Sequence, residues 1–284
     1  QRQMCIRDRL SFSGPIGVFD SGYGGLSILR RIRERLPRYD YLYLGDNARA
    51  PYGPRSFDVV YRFTLEAVRY LFGRGCPLVI LACNTASAKA LRSIQRNDLP
   101  LIDPTRRVLG VIRPTVEKVG EMSSTGVVGV MGTNGTVRSR SYDMEIGKLY
   151  PSFTTVSQEC PMLVPLVENE ESAAPGADYF VKKYVDALFA KNSDIDTVLL
   201  ACTHYPLLYD KIRRYVPEGA RVVTQGEIVA DSLADYLVRH PEMERRCTRG
   251  GSTTCLTTEN PESFSRLARI FLGEEITANH IDLV

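Results

Sequence analysis

Two short apolar runs, each followed by a cysteine, dominate the hydrophobic pattern of this chain. Residues 79–82 precede Cys83, and residues 198–201 precede Cys202. Neither run alternates with polar residues, and both are too short for a helix, so we predict two strands that are buried on both faces of a parallel sheet. Ligands of such sheets bind beyond the carboxyl ends of the strands. Each thiol is therefore expected at a strand end where chemistry is commonly placed.

A strand, a glycine-rich turn and a helix also occur once in each half of the chain. The first copy begins with a strand at 15–19 and a turn at 20–25, and the second copy spans 129–136. Both features return after a nearly constant interval, which indicates two halves of similar build. Such a turn can bind a carboxylate or phosphate through backbone N–H groups. It departs from the dinucleotide-binding pattern because Ser27 replaces the third glycine, and a tight turn without a ligand remains the alternative.

The remaining apolar positions alternate between strand and helix periodicity. Further strands are predicted at 41–45, 153–157 and 221–224. Helices are predicted at 57–71, 86–95, 178–190, 228–237 and 264–272, and 247–258 is interpreted as a loop or edge hairpin. This alternation predicts an α/β fold with mostly parallel sheets. Three prolines within 97–114 suggest that the chain crosses between domains there.

Composition excludes several classes of function. The 284 residues are 44% hydrophobic and 24% charged with a net charge of +3, which is typical of a globular protein and argues against broad nucleic-acid binding. No apolar run approaches the roughly 20 residues that span a bilayer, so no membrane partner is expected. The seven cysteines lack zinc-like spacing, so no metal site is expected and reduced thiols in a cytoplasm are the simplest assumption. Residues 1–14 lack the apolar core of a signal peptide and are predicted to form a disordered extension.

Two thiols that face each other across a cleft suit inversion at a carbon acid. One thiolate removes a proton from one face of the carbon, and the opposite thiol protonates the other face of the planar carbanion. A free thiol has a pKa of about 8.5, so neighbours must tune it. His204 lies two residues after Cys202, and Asp20 could serve Cys83 through proton transfer.

Three other interpretations of the cysteines stay open on the residues alone. Buried cysteines often only pack, which predicts a binding or regulatory protein that tolerates Cys→Ala. A redox dithiol predicts a reversible disulfide between Cys83 and Cys202, although a substrate between the thiols would hold them too far apart. Catalysis by a pyridoxal phosphate bound to a lysine, rather than by the thiols, is the third alternative, and an absorbance scan of the purified protein would test for that cofactor.

Four motifs together make the sequence similar to the glutamate racemase family. They are Asp-Ser-Gly-Tyr-Gly-Gly-Leu-Ser at 20–27, Pro-Tyr-Gly at 51–53, Ala-Cys-Asn-Thr-Ala-Ser-Ala at 82–88 and Cys-Thr-His-Tyr-Pro-Leu-Leu at 202–208. The resemblance covers nearly the whole chain from Pro15. It implies two pseudo-symmetric three-layer α/β domains with the active site in the cleft between them. We expect the first domain to comprise 15–108 plus 218–284, and the second to comprise 109–217.

The resemblance also implies a cofactor-independent reaction and a role for each motif residue. Cys83 would be the base toward D-glutamate and Cys202 the base toward L-glutamate, assisted by Asp20, His204 and Glu168. The substrate-binding residues would be Asp20, Ser21, Tyr52, Gly53, Asn84, Thr85, Thr133, Thr136, Thr203 and His204. The family's Ala-Thr turn is Gly132-Thr133 here, a mild departure. The product would be D-glutamate for peptidoglycan precursors, made by a cytoplasmic homodimer; aspartate racemase, with the same mechanism, is the close alternative.

Overall fold

In the computed structural model, which describes residues 13–283, ten strands form two sheets. All strand pairings in both sheets are parallel, which confirms the predicted α/β class. The six-stranded sheet has the order β10-β9-β2-β1-β3-β4 and the four-stranded sheet the order β6-β5-β7-β8. The strands of the first sheet are β1 (Ile16–Asp20), β2 (Tyr41–Gly45), β3 (Leu78–Leu81), β4 (Arg107–Gly110), β9 (Thr253–Thr257) and β10 (Ala278–His280). Those of the second are β5 (Val127–Gly132), β6 (Thr154–Glu159), β7 (Thr197–Ala201) and β8 (Arg221–Val223).

Helices connect these strands and cover both sheets. In the first half of the chain they are α1 (Gly25–Arg35), α2 (Phe57–Gly73), α3 (Asn84–Lys89), α4 (Leu91–Ser93), α5 (Leu99–Ile102) and α6 (Ile112–Val119). In the second half they are α7 (Asn134–Arg138), α8 (Ser141–Leu149), α9 (Leu163–Glu168), α10 (Pro175–Phe189), α11 (Tyr209–Tyr215), α12 (Gly226–Arg239), α13 (Pro241–Glu244) and α14 (Pro261–Leu272). Within the described residues, none of these helices is both long and apolar enough to cross a bilayer.

The two sheets share one topology. The order β2-β1-β3-β4 in the first sheet repeats as β6-β5-β7-β8 in the second, and β9 and β10 extend only the first. The strands that precede Cys83 and Cys202, β3 and β7, are fully buried, as their unbroken apolar sequences predict. Alternate residues along each strand enter apolar clusters on opposite faces of the sheet, so helices pack on both sides and each unit has three layers.

The strands divide between the sheets at points that differ from the predicted domain limits. β4 ends at Gly110 and pairs with β3 in the first sheet, so the first crossing follows Gly110 rather than residue 108. β8 pairs with β7, so the second sheet extends to Val223 instead of ending before residue 218. A short strand next to a linker joins the sheet of its pairing partner, which local sequence does not reveal.

Three other local predictions also need correction. The segment 247–258, predicted as a loop or edge hairpin, contains the strand β9 at Thr253–Thr257, which lies parallel between β2 and β10 with Cys255 and Leu256 buried. The helix predicted at 86–95 continues in short segments to Ile102, since Pro100 sits in the first turn of α5, where its missing N–H costs nothing. The predicted extension lies outside the described residues up to residue 12, but Gly14 is folded and pairs with Cys247.

Candidate active site

The carboxyl ends of β3 and β7 meet at one cavity between the two sheets. Cys83 follows β3 and Cys202 follows β7, and both side chains line this cavity of about 270 Å³. Eleven of the predicted site residues contribute to its wall. They are Ser21, Tyr52, Gly53, Cys83, Asn84, Thr85, Thr133, Glu168, Cys202, Thr203 and His204. Placement at strand ends in a parallel sheet explains why residues so distant in sequence converge here.

Cys83 lies in a buried part of the wall, with a hydroxyl group as its hydrogen-bond partner. Its sulfur is 3.3 Å from the hydroxyl oxygen of Ser21 and accepts the N–H of Ala86 at 3.5 Å, so the thiol also caps α3. Burial and the nearby Asp20 raise the pKa of Cys83 to about 12, against the weaker effect of the Ser21 hydrogen bond. Cys83 is therefore a neutral thiol at physiological pH.

Cys202 has a different neighbour. Its sulfur lies 3.9 Å from Nδ1 of His204, and Nε2 of the same ring lies 2.9 Å from a carboxylate oxygen of Glu168. Burial lowers the pKa of His204, but the interactions with Cys202 and Glu168 outweigh it and raise that pKa to about 10. The imidazole is then a cation at neutral pH, held between a sulfur and a carboxylate. Glu168 is thus part of the cavity wall and contacts the imidazole through its carboxylate.

Asp20 lies behind the cavity wall rather than in it. It is fully buried, and its Oδ1 accepts the N–H of Gly22 at 2.9 Å. Among the described residues, none donates a hydrogen bond to its other oxygen, Oδ2. Burial raises the pKa of Asp20, while the charge of His204 lowers it. A buried carboxyl group with a free oxygen is able to exchange a proton with a neighbouring group.

Three threonines join the two sheets across the cavity. The hydroxyl oxygen of Thr85, in α3, lies 3.0 Å from that of Thr133 and 3.4 Å from that of Thr136. Thr133 in turn caps α7 by accepting the N–H of Thr136 at 3.3 Å. Thr136 is buried behind the other two and does not reach the wall. The predicted turn residues thus converge, but only Thr85 and Thr133 are available to a ligand.

Two predicted substrate-binding side chains direct their polar groups into the protein. The hydroxyl of Tyr52 donates to the buried carboxylate of Asp46, so the ring forms the wall. The amide of Asn84 donates to Gln225 at 2.6 Å and accepts from Tyr142 at 2.7 Å. Neither polar group faces the cavity, which leaves the ring and the backbone of these residues for a ligand.

Sequence reasoning missed the apolar part of the wall and the residues behind Asn84. Pro161, Val164 and Pro165 line the cavity, and no chemical signal marks such residues before the fold is known. Gln225, between β8 and α12, is not among the predicted site residues. Its role could not be found because its partners come from distant parts of the chain.

The cavity does not fit a lysine-bound pyridoxal phosphate. Among the described residues, no lysine side chain lines it, and Lys89, which lies close to Gly135, donates to the carbonyl oxygen of Arg55. Within residues 13–283 no three His, Cys, Asp or Glu side chains converge to hold a metal ion. The groups that do converge are thiols, hydroxyls, one imidazole and carboxyls, which suit proton transfer and the binding of a small polar molecule.

Two like-folded α/β units with one cysteine each on a shared small cavity define an enzyme of the racemase type. The chain belongs to the Asp/Glu/hydantoin racemase family, whose model matches residues 16–233. The protein is accordingly an isomerase, and the predicted resemblance to glutamate racemases is confirmed.

Individual relatives match almost from end to end. The chain is 40% identical to the glutamate racemase of Ruegeria sp. (strain TM1040) over 92% of this chain and 98% of the relative. It is similar to the crystal structure of a glutamate racemase isoform from Bacillus anthracis, with a TM-score of 0.86 and 32% identity over 95% of this chain and 98% of that one. A glutamate racemase from Francisella tularensis, in complex with D-glutamate, gives a TM-score of 0.85 and 28% identity over 96% and 99%.

Proposed function

We propose that this protein interconverts L-glutamate and D-glutamate by a two-base mechanism at the α-carbon. The observation that carries the proposal is that Cys83 and Cys202, from two different sheets, line one cavity. It is supported by the extended similarity to glutamate racemases, one of which was crystallised with D-glutamate. The five-carbon amino acid is small enough for this cavity, and its carboxylates suit the wall hydroxyls of Ser21, Thr85 and Thr133.

In the direction from L-glutamate, Cys202 acts as the base. The positive charge of His204 beside the sulfur stabilises a thiolate, which takes the α-proton and becomes a thiol. The electron pair of the broken C–H bond remains on the α-carbon as a planar carbanion. Cys83, which is a neutral thiol, then donates its proton to the opposite face and becomes the thiolate. The product is D-glutamate, and the two sulfurs have exchanged protonation states.

In the direction from D-glutamate, Cys83 must first be a thiolate. Its raised pKa opposes this, so another group has to accept its proton. Asp20 is suited to that task because it is buried near the thiol and its Oδ2 is free of hydrogen bonds in the described structure. Asp20 therefore acts as a proton relay for Cys83. His204, in contact with Glu168, assists Cys202 on the other side of the cavity.

The biological setting follows from the product. D-glutamate would supply peptidoglycan precursors, and the six cysteines of the described residues, all of them free, suit the reducing cytoplasm. We further propose that the protein acts as a homodimer. Sedimentation of the purified chain at several concentrations tests this last point.

Incubation with L-glutamate in D₂O tests the proposed reaction. We expect optical rotation to fall to zero as D-glutamate forms, and the α-hydrogen to be replaced by deuterium from the solvent-exchanged thiol. Absence of both D-glutamate and α-deuteration would reject the activity. Competition between glutamate and aspartate in one reaction vessel distinguishes the aspartate racemase alternative, because equal or faster turnover of aspartate would reassign the substrate.

A further inference from the structure

A buried polar network lies directly behind Cys83. Its centre is the amide of Gln225, whose Oε1 accepts from Asn84 at 2.6 Å. The Gln225 Nε2 group donates to Tyr142 at 2.8 Å and to Thr115 at 2.9 Å. The Tyr142 hydroxyl completes a ring by donating to Asn84 Oδ1 at 2.7 Å. All four side chains are buried, so water cannot satisfy their polar groups. Loss of one of these hydrogen bonds would leave a buried donor or acceptor without a partner.

The network joins the two places where the chain passes between the sheets. Thr115 is in α6, which follows β4 of the first sheet and precedes β5 of the second. Gln225 lies between β8 of the second sheet and α12, which packs against α1. Asn84 directly follows Cys83 and is the first residue of α3. One amide therefore ties both connections between the sheets to the residue next to a proposed base.

We propose that Gln225 is a positioning residue for the racemase reaction, fixing Cys83 relative to the second sheet through Asn84, Tyr142 and Thr115. This inference rests on the proposed function. Gln225, Tyr142 and Thr115 lie outside the wall of the cavity, so they act through Asn84 and not on the substrate. Proton transfer between a sulfur and a carbon is sensitive to small misplacements, because a shift of about 1 Å can cost 100-fold in rate.

Two nearly isosteric variants test the network. Tyr142→Phe removes the donor to Asn84 and one acceptor of Gln225. Thr115→Val removes a second acceptor and leaves Gln225 Nε2 the longer contact with the Val111 carbonyl oxygen at 3.5 Å. We expect kcat for glutamate to fall about 10- to 100-fold in Tyr142→Phe and by less in Thr115→Val, with KM changed much less than kcat. Thr115→Ser retains the hydroxyl and is expected to restore most of the lost kcat. Wild-type kcat in Tyr142→Phe, or equal loss in Thr115→Ser and Thr115→Val, would overturn the proposal.

Primary isotope effects separate misplacement of Cys83 from a general loss of structure. In Tyr142→Phe, we expect proton transfer by Cys83 to slow selectively. The primary deuterium isotope effect on kcat/KM with α-deuterated D-glutamate then rises. The effect with α-deuterated L-glutamate falls, since removal of that deuterium by Cys202 no longer limits the rate. Unchanged isotope effects in both directions would indicate a role that is only structural, and the positioning role would be rejected.

Amide hydrogen exchange gives a readout that does not depend on turnover. Tyr142→Phe is expected to accelerate exchange at residues 84–89, whereas the control Tyr41→Phe is not. Tyr41 is an equally buried tyrosine whose hydroxyl donates to Leu36 O at 2.7 Å, away from the cavity. Unchanged protection of 84–89 in Tyr142→Phe contradicts the inference even if the wild-type enzyme is active. An inactive wild-type enzyme rejects the proposed reaction, but leaves this exchange test valid.

Discussion

At the scale of single residues, the two thiols of the cavity are chemically unequal. Cys83 has a hydroxyl and a buried carboxyl group as neighbours, and its raised pKa makes it a proton donor. Cys202 has a cationic imidazole as its neighbour, which suits a proton acceptor. The proposed two-base reaction needs this inequality, because one sulfur must accept a proton while the other donates one.

Replacement of either thiol should nearly abolish racemisation. A serine hydroxyl is far less acidic than a thiol, so Cys83→Ser and Cys202→Ser each remove one proton-transfer partner. We expect kcat to fall by at least about 1,000-fold in each variant, measured by circular dichroism with L- and D-glutamate.

The matched control is Cys255→Ala, a buried cysteine in β9 of the first sheet. This variant should retain kcat, although its stability decreases slightly from the small cavity left behind. Full activity in either Cys83→Ser or Cys202→Ser would contradict the two-base scheme.

The charge of His204 predicts a pH dependence. Glu168 contributes to the raised pKa of His204, so the imidazolium persists until the pH approaches about 10. Glu168→Gln removes the negative charge and lowers that pKa, so the cation is lost at a lower pH. We expect the alkaline limb of the kcat/KM profile to move down by about one pH unit or more, with activity at neutral pH less affected than activity at pH 9.

Glu159→Gln serves as the comparison, because Glu159 pairs with Arg138 at the surface. Its profile should match that of the wild type. An alkaline limb that stays in place in Glu168→Gln would show that Glu168 does not govern the charge of His204.

At the scale of elements, the start of α1 lies in very close contact with Thr203 and His204, which follow β7 of the second sheet. A Cβ atom added at Gly24 would lie 2.1 Å from the Thr203 hydroxyl oxygen and 2.5 Å from Nδ1 of His204. Gly24→Ala therefore has to displace either α1 or these two side chains. We expect kcat to fall at least about tenfold, given the cost of misplacing a catalytic group, together with a lower midpoint of thermal unfolding.

Gly147→Ala is the matched glycine substitution in a helix. A Cβ atom at Gly147, in α8, meets no described atom within 4 Å. Alanine there should raise the free energy of unfolding by about 0.5–1 kcal/mol, because glycine loses more backbone entropy on folding. Activity should remain unchanged. Equal behaviour of the two variants would show that close approach at Gly24 is unimportant.

Elements were predictable where the local signal was strong. The unbroken apolar runs predicted β3 and β7, and spaced apolar positions predicted helices such as α2 and α14. β9 was missed because its sequence, Thr-Thr-Cys-Leu-Thr, carries little apolar pattern and follows glycines that suggest a loop. Its strand conformation depends on pairing with β2 and β10, which are distant in the chain.

At the scale of the whole molecule, one ligand is expected to contact both units at once. Cys83 and Cys202 line the same cavity, and one apolar cluster contains residues of both sheets. Saturating D-glutamate should therefore slow alkylation of both thiols together by at least about tenfold, since a ligand at 100 times its Kd leaves about 1% of sites empty. Peptide mass spectrometry after iodoacetamide treatment measures each site separately.

Cys76 and Cys255, which are buried away from the cavity, are the internal controls. Their alkylation rates should not respond to D-glutamate beyond a general stabilisation. Protection of only one of the two cavity cysteines would indicate that a single ligand does not reach both units.

The sequence by itself determined the class of fold, the identity of the two cysteine strands and the family resemblance. These depend on local apolar pattern and on motifs that are contiguous in the chain. Only the tertiary structure decided which strands pair at the sheet boundaries. It also decided that the Asn84 side chain forms hydrogen bonds with Gln225 and that Glu168 forms a hydrogen bond with His204. Contacts of this kind join residues far apart in sequence, and their free energy depends on burial and geometry that exist only after the chain has folded.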